Sequence, residues 1–194
     1  MKSVLKRAVA AVGLLAGIAI ATGTAQPSSP RNLTLAKESK VWLEGTSSVK
    51  SFKCTAEKID VAVAAEENAA PADLVSSASV IVPVATLECG NKTMNEHMRK
   101  ALKASANPQI SWRLSSYRLT GTTVFMKGLL RIAGKENPIE ITGTGTVDGS
   151  GTIRMKGSKL FRMTEFGVKP PSLMLGTMKV ADPVTVSFDL VLNP

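Results

Sequence analysis

The sequence predicts an all-β protein, an antiparallel sandwich or closed barrel of eight or more short strands with a single helix set into it. Three observations carry this. Apolar and polar residues alternate with a period of two over most of the chain, which is the pattern of a strand with one buried face. Turn residues punctuate the alternation at short intervals, at Gly121-Thr122, Gly134-Lys-Glu-Asn-Pro138 and Asp148-Gly-Ser-Gly151. Only one stretch, after Cys89, changes to a helical period.

Taken in chain order, Met1-Lys-Ser-Val-Leu-Lys-Arg is basic, Ala8 to Ala21 is apolar, and Gly23-Thr-Ala25 supplies small residues at a cleavage position. This is the layout of a secretory signal peptide over residues 1–25, and roughly 14 apolar residues are too few for a comfortable membrane span. No cysteine stands near the cleavage point, so a lipid-modified N-terminus is not expected, and the mature protein is expected to be exported without a transmembrane segment. Residues 26–36, opening on Pro27-Ser-Ser-Pro30, are expected to be a disordered mature N-terminus. One domain is expected over residues 37–194.

Strand runs are expected at Lys40 to Gly45, Val49 to Val63, Ser79 to Leu87, Gln109 to Leu119, Thr122 to Ile132, Pro138 to Val147, Thr152 to Gly157, Leu160 to Val168 and Pro183 to Leu192. Ala64 to Ser77, rich in Ala and Glu, reads as a long surface connection. Asn91 to Ala104 reads as the helix: Met94, Met98 and Ala101-Leu102 form one apolar stripe, Asn91 or Thr93 can cap it, and Glu96 follows Thr93 at capping-box spacing. A short amphipathic helix buries one face by default, so the stripe is assigned to packing on the sheet.

The formal charge of +9 falls to +6 once Lys2, Lys6 and Arg7 leave with the signal segment. The remaining charges are scattered, which suits a solvated surface and leaves a weak contact with anionic membrane surface as a secondary property. A single Tyr and no interleaving of basic with aromatic residues argue against nucleic-acid binding. In an oxidising compartment an even cysteine count favours one disulfide, Cys54 with Cys89, the alternative being two buried thiols.

No catalytic set is found. His97 is the only histidine, and it is read as an exposed helix residue beside a disulfide cysteine, against the competing reading of a Cys89–His97 nucleophilic pair. His97, Cys54 and Cys89 do not make a recognised metal spacing, and no nucleophile elbow, P-loop or dinucleotide fingerprint occurs. No enzyme, metal or cofactor is expected. Instead the strands present long apolar faces: Val184, Val186, Phe188, Leu190 and Leu192 share one, Val124, Met126, Gly128, Leu130 and Ile132 another, and Ile110, Trp112 and Leu114 a third, with Phe52, Cys54 and Ala56 opening an earlier one. A closed sheet of eight strands has an interior either filled by such side chains or just wide enough for a small ligand. Gly128, Gly143, Gly145 and Gly157 suit sharp curvature and remove side-chain volume, which favours a cavity.

Several short motifs, in fixed order, carry a family resemblance. They are Gly45-Thr-Ser-Ser-Val, Met98-Arg-Lys-Ala-Leu-Lys, Asn107-Pro-Gln-Ile-Ser-Trp, Lys127-Gly-Leu-Leu-Arg-Ile-Ala-Gly, Met163-Thr-Glu-Phe-Gly-Val and Val180-Ala-Asp-Pro-Val-Thr-Val-Ser-Phe. Over Ser39 to Asn193 the sequence resembles the YceI-like family, exported bacterial proteins described as polyisoprenoid-binding. The resemblance implies an extended antiparallel eight-stranded lipocalin-like β-barrel with an apolar interior that holds a long isoprenoid chain without covalent chemistry. Carried onto this chain, the implied lining is Phe52, Ile110, Trp112, Met126, Leu130, Phe161, Phe166, Val186 and Phe188. Many family members carry a His after the Gly-Thr-Ser-type start, where Lys50 or Ser51 stands here. A charged headgroup at the mouth would meet Arg162 or Lys169. The implied function is a periplasmic carrier of an isoprenoid, quinone or similar amphiphilic lipid. The alternative is an exported structural or partner-binding barrel with a filled core and no ligand.

Overall fold

A computed structural model describes residues 30–66, 69–173 and 177–194. The expected signal segment lies outside them. Twelve strands follow in order: β1 Arg31–Leu35, β2 Lys40–Ser47, β3 Ser51–Ala56, β4 Asp60–Ala65, β5 Val75–Pro83, β6 Leu87–Glu88, β7 Gln109–Thr120, β8 Thr123–Ile132, β9 Lys135–Val147, β10 Ile153–Arg162, β11 Ser172–Leu173 and β12 Met178–Asn193. One helix, α1 Lys92–Ala101, stands between β6 and β7.

Every described pairing is antiparallel, and eight strands close a ring: β1 to β4, β5, β7, β8, β9, β10 and β12, with β12 returning to β1 at Leu35↔Leu192. The short strands are explained by bends. β2 continues β1 along β12, β3 precedes β4 in the same hairpin, and β6 continues β5 past a 3-10 turn at Val84–Thr86. The same strands stay neighbours across each bend while their register shifts by one or two residues, so the barrel is a meander of long strands, three of them kinked.

Several boundaries differ from the expected ones for physical reasons. The disordered N-terminus does not extend to residue 36: Arg31–Leu35 is a strand whose Leu33 is buried, and it seals the ring. The Val49–Val63 run is two strands. The expected runs 152–157 and 160–168 are one strand, β10, followed by a 3-10 turn at Met163–Phe166. The connection expected over 64–77 is shorter, because β4 reaches Ala65 and β5 starts at Val75; Tyr117 Oη donates to the Pro71 carbonyl and accepts from the Val75 N–H, pinning it to β7. Between β8 and β9 the turn is tighter than the Gly134–Pro138 signal suggests. Ala133 (φ 49°) and Gly134 (φ 86°) form a two-residue hairpin of the kind that needs positive φ at both positions.

The interior is divided. Leu33, Val63, Ala65, Ile153 and Leu192 fill the end at which β1 closes the ring. Toward the other end, residues from β2, β3, β7, β8, β10, β12 and α1 surround a space that they do not fill. On the outer face, charges pair across neighbouring strands, as in Lys127 with Glu140 (2.9 Å) and Lys156 with Asp189 (2.8 Å).

Candidate functional site

The unfilled space is an internal cavity of about 810 Å³, within the roughly 300–1,000 Å³ of small-ligand sites. Its wall follows from the strand period. Phe52 on β3, Ile110 and Trp112 on β7, Met126 and Leu130 on β8, Phe161 on β10, Phe166 in the 3-10 turn, and Val186 and Phe188 on β12 all stand on it. The nine residues that the resemblance implied as lining are thus brought to one wall.

What keeps the space open is a set of aromatic–glycine pairs. Gly45 is paired with Phe52, and Gly157 with Phe188. A Cβ at Gly157 would stand 2.6 Å from Phe188 Cζ, and one at Gly45 would stand 2.5 Å from Phe52 Cζ. Each ring therefore occupies the side-chain space of its neighbour and leans on the wall, where a larger neighbour would drive it inward. Trp112 lies on Gly128 in the same way, its buried indole Nε1 having no hydrogen-bond partner among the described residues.

Helix α1 is more than packing. Asn91 Oδ1 accepts from the Met94 N–H at 2.9 Å, the expected cap, and Met94, His97, Met98, Ala101 and Leu102 face the cavity. His97 is half-buried on this wall, which corrects the reading of an exposed residue. Sequence spacing shows that a helix has an apolar stripe; it does not show what the stripe faces. The Cys54–Cys89 disulfide ties β3 to the segment entering the helix, and both cysteines are buried on the cavity wall. Asn95 completes the attachment: its Oδ1 accepts from the Cys89 N–H (2.7 Å) and its Nδ2 donates to Glu88 (2.6 Å). With its sulfur bonded, Cys89 offers no thiolate, so the Cys89–His97 nucleophile reading falls.

The headgroup residues are misplaced in the sequence reading. Arg162 is exposed, points to the outer face of β10 and lies 4.0 Å from Asp182; Lys169 is exposed beyond the turn; neither lines the cavity. Lys50 and Lys159 line it instead. Lys159 breaks the apolar alternation of β10, so the period-two pattern does not mark it as an inward residue.

Asp182 anchors the turn that carries Phe166. It accepts from the Thr164 N–H (2.9 Å) and hydroxyl (2.7 Å), and the hydroxyl contact is the main cause that holds its carboxyl below the ordinary 3.8. Asp148 is lowered chiefly by the Ser150 hydroxyl, and Glu140 chiefly by Lys127. A carboxyl that is more acidic in the folded chain adds stability above its unfolded value and loses it as pH falls through the folded value. Thermal unfolding followed by circular dichroism is therefore expected to show a melting temperature that declines on acidification below about pH 4, less steeply in Asp182→Asn.

The YceI-like domain family matches residues 35–192 of the sequence. No curated protein matches the chain. Among solved structures the fold is similar to Burkholderia cenocepacia BcnA, at 23% identity over 81% of this chain and 99% of that one, with a TM-score of 0.70. A polyisoprenoid binding domain from Saccharophagus degradans implicated in plant cell wall breakdown aligns at 11% identity over 84% of this chain and 97% of that one, with a TM-score of 0.62. The Campylobacter jejuni YCEI protein aligns at 15% identity over 73% of this chain and 84% of that one, with a TM-score of 0.60. Sequence match, closed eight-stranded ring and hollow apolar interior agree, and the chain belongs to the YceI-like family.

Proposed function

We propose that this protein is an exported, periplasmic carrier that holds a long-chain isoprenoid, quinone or similar amphiphilic lipid in its barrel without covalent chemistry. The observation that carries the reading is the 810 Å³ cavity with its almost wholly apolar wall. Such a wall binds by removing hydrocarbon from water, at about 0.8 kcal/mol per buried CH₂, with no need for directional groups. Met94, Met98, Met126, Met155, Met163 and Met178 around it suit a flexible chain, since thioether side chains adapt to irregular shapes. Family membership and the likeness to a domain named as polyisoprenoid-binding support the same ligand class. Export is supported by the signal-like segment 1–25 and by the disulfide. The cavity also weighs against the alternative, a filled barrel that serves only as a structural or partner-binding domain.

Native mass spectrometry of protein purified from its own cell envelope tests this. The expected spectrum shows a bound mass that leaves on denaturation and extracts into organic solvent. Protein that carries no such mass, and that takes up no added quinone or polyprenol after delipidation, would overturn the reading.

A further inference from the structure

The charged groups of the cavity are one-sided. Lys50 and Lys159 line it, with His97 also on the wall, and among the described residues no Asp or Glu does. Lys159 is the unusual one. On β10 the inward positions run Met155, Gly157, Lys159 and Phe161, so the lysine replaces a wall residue between a ring-bearing glycine and an aromatic side chain. It is half-buried and makes no hydrogen bond or ion pair with any described residue.

Its place in the wall is equally particular. The β9–β10 ladder ends at Ser158↔Thr142. From Lys159 onward β10 pairs only with β12, and from Ile141 back to Lys135 β9 pairs only with β8. The barrel wall is thus unlaced where Lys159 stands. Pro138 lies in the same unlaced part of β9, and a proline, which removes a ladder donor, is tolerated where a strand side is unpaired. Glu140, on the same part of β9, is already engaged: it forms a 2.9 Å pair with Lys127 on the outer face, and Lys159 adds only a weaker pull on its carboxyl behind that of Lys127. A lysine set into an apolar wall is stabilised when its ammonium meets an anionic group, and no described residue gives Lys159 a hydrogen bond or an ion pair.

We propose that Lys159 is the headgroup contact of the cavity and that the ligand is an acidic amphiphile, with its carboxylate or phosphate oxygen at the β9–β10 split and its apolar tail along the wall. This rests on the carrier reading and narrows it. An ammonium at that point donates a charge-assisted hydrogen bond to an anionic oxygen, rejects a cationic head by repulsion, and gives an uncharged head less.

The test uses delipidated full-length mature protein and probes of one chain length: hexadecanoate, hexadecyl phosphate, hexadecanol and hexadecylamine, each titrated calorimetrically, with inorganic phosphate as a tail-free control. Binding of one or both acids about tenfold or more tighter than hexadecanol is expected, which is the worth of a single charge-assisted hydrogen bond. The two acid arms identify which head is preferred. In Lys159→Met the acid-to-alcohol ratio is expected to collapse toward one, and in Lys159→Arg to return. Equal binding of acid and alcohol by the unmodified protein, a ratio unchanged in Lys159→Met, or competition by inorganic phosphate alone would overturn the proposal while leaving a carrier of uncharged lipids. Failure of all four chains to bind would remove the carrier reading itself, and this proposal with it.

Discussion

Reduction of the Cys54–Cys89 disulfide, or its removal by Cys54→Ser with Cys89→Ser, is expected to lower the free energy of unfolding by about 3–4 kcal/mol. The bond closes a loop of 35 residues in sequence separation, and opening it restores that conformational freedom to the unfolded chain. Both cysteines are buried, so each serine adds a hydroxyl to a site prepared for sulfur, and the reduced unmodified protein is the cleaner comparison. Urea unfolding with and without reductant measures the effect as a lower midpoint. A second consequence is local. The bond is the covalent tie between β3 and the helical wall of the cavity, leaving Asn95 and its contacts to Cys89 and Glu88 to hold the entry to α1. Ligand release is therefore expected to quicken on reduction, read as the dissociation rate of a bound fluorescent lipid. An unchanged midpoint and an unchanged rate would show that packing alone secures the helix.

Gly157→Val is expected to destabilise the protein by about 1–3 kcal/mol and, more tellingly, to reduce uptake of apolar ligand. The new Cβ would stand 2.6 Å from Phe188 Cζ and 3.2 Å from the Cα of Gly143 on the opposite strand. Backbone on one side cannot yield, so the ring must swing into the cavity. Gly149→Ala is the control: nothing lies within 4 Å of its Cβ, and it is expected to bind and melt like the unmodified protein. Binding titrations on the two variants separate a filled cavity from a general loss of stability. If Gly157→Val folds and binds normally, the aromatic–glycine pairs are not what keeps the cavity open.

These two experiments probe features of different legibility. The disulfide was open to a sequence argument from cysteine count and compartment, though only the fold brings Cys54 and Cys89 together. The parity of Phe52, Trp112, Met126, Leu130, Val186 and Phe188 was legible too, because each lies in a run whose alternation is unbroken. Arg162 is the converse case: it follows Phe161, whose inward direction is legible, so a period of two sends it outward, while Lys159 escapes notice because it interrupts the apolar face of β10. The helix stripe packs on the barrel as its pattern implies, with Met98, Ala101 and Leu102 in the core cluster, but that the same face and His97 also border the cavity is not legible, since amphipathicity shows which side of a helix is apolar and not whether empty space lies against part of it. The strand Arg31–Leu35 was hidden by the Pro/Ser-rich residues before it and by its shortness, and it forms because β4 and β12 offer it edges on both sides.

By itself, then, the sequence determined the β class, an antiparallel arrangement of eight or more strands, the helical interruption and the inward set of each unbroken strand. All of these follow from a side-chain direction that repeats every two residues and is a local property of extended backbone. Only the tertiary structure decided that the interior is filled at one end and hollow at the other, and that its one-sided charge includes a lysine at an unlaced seam. Those outcomes depend on which residue of one strand stands beside which residue of the next, as Phe188 does beside Gly157, and that register joins positions far apart in the chain.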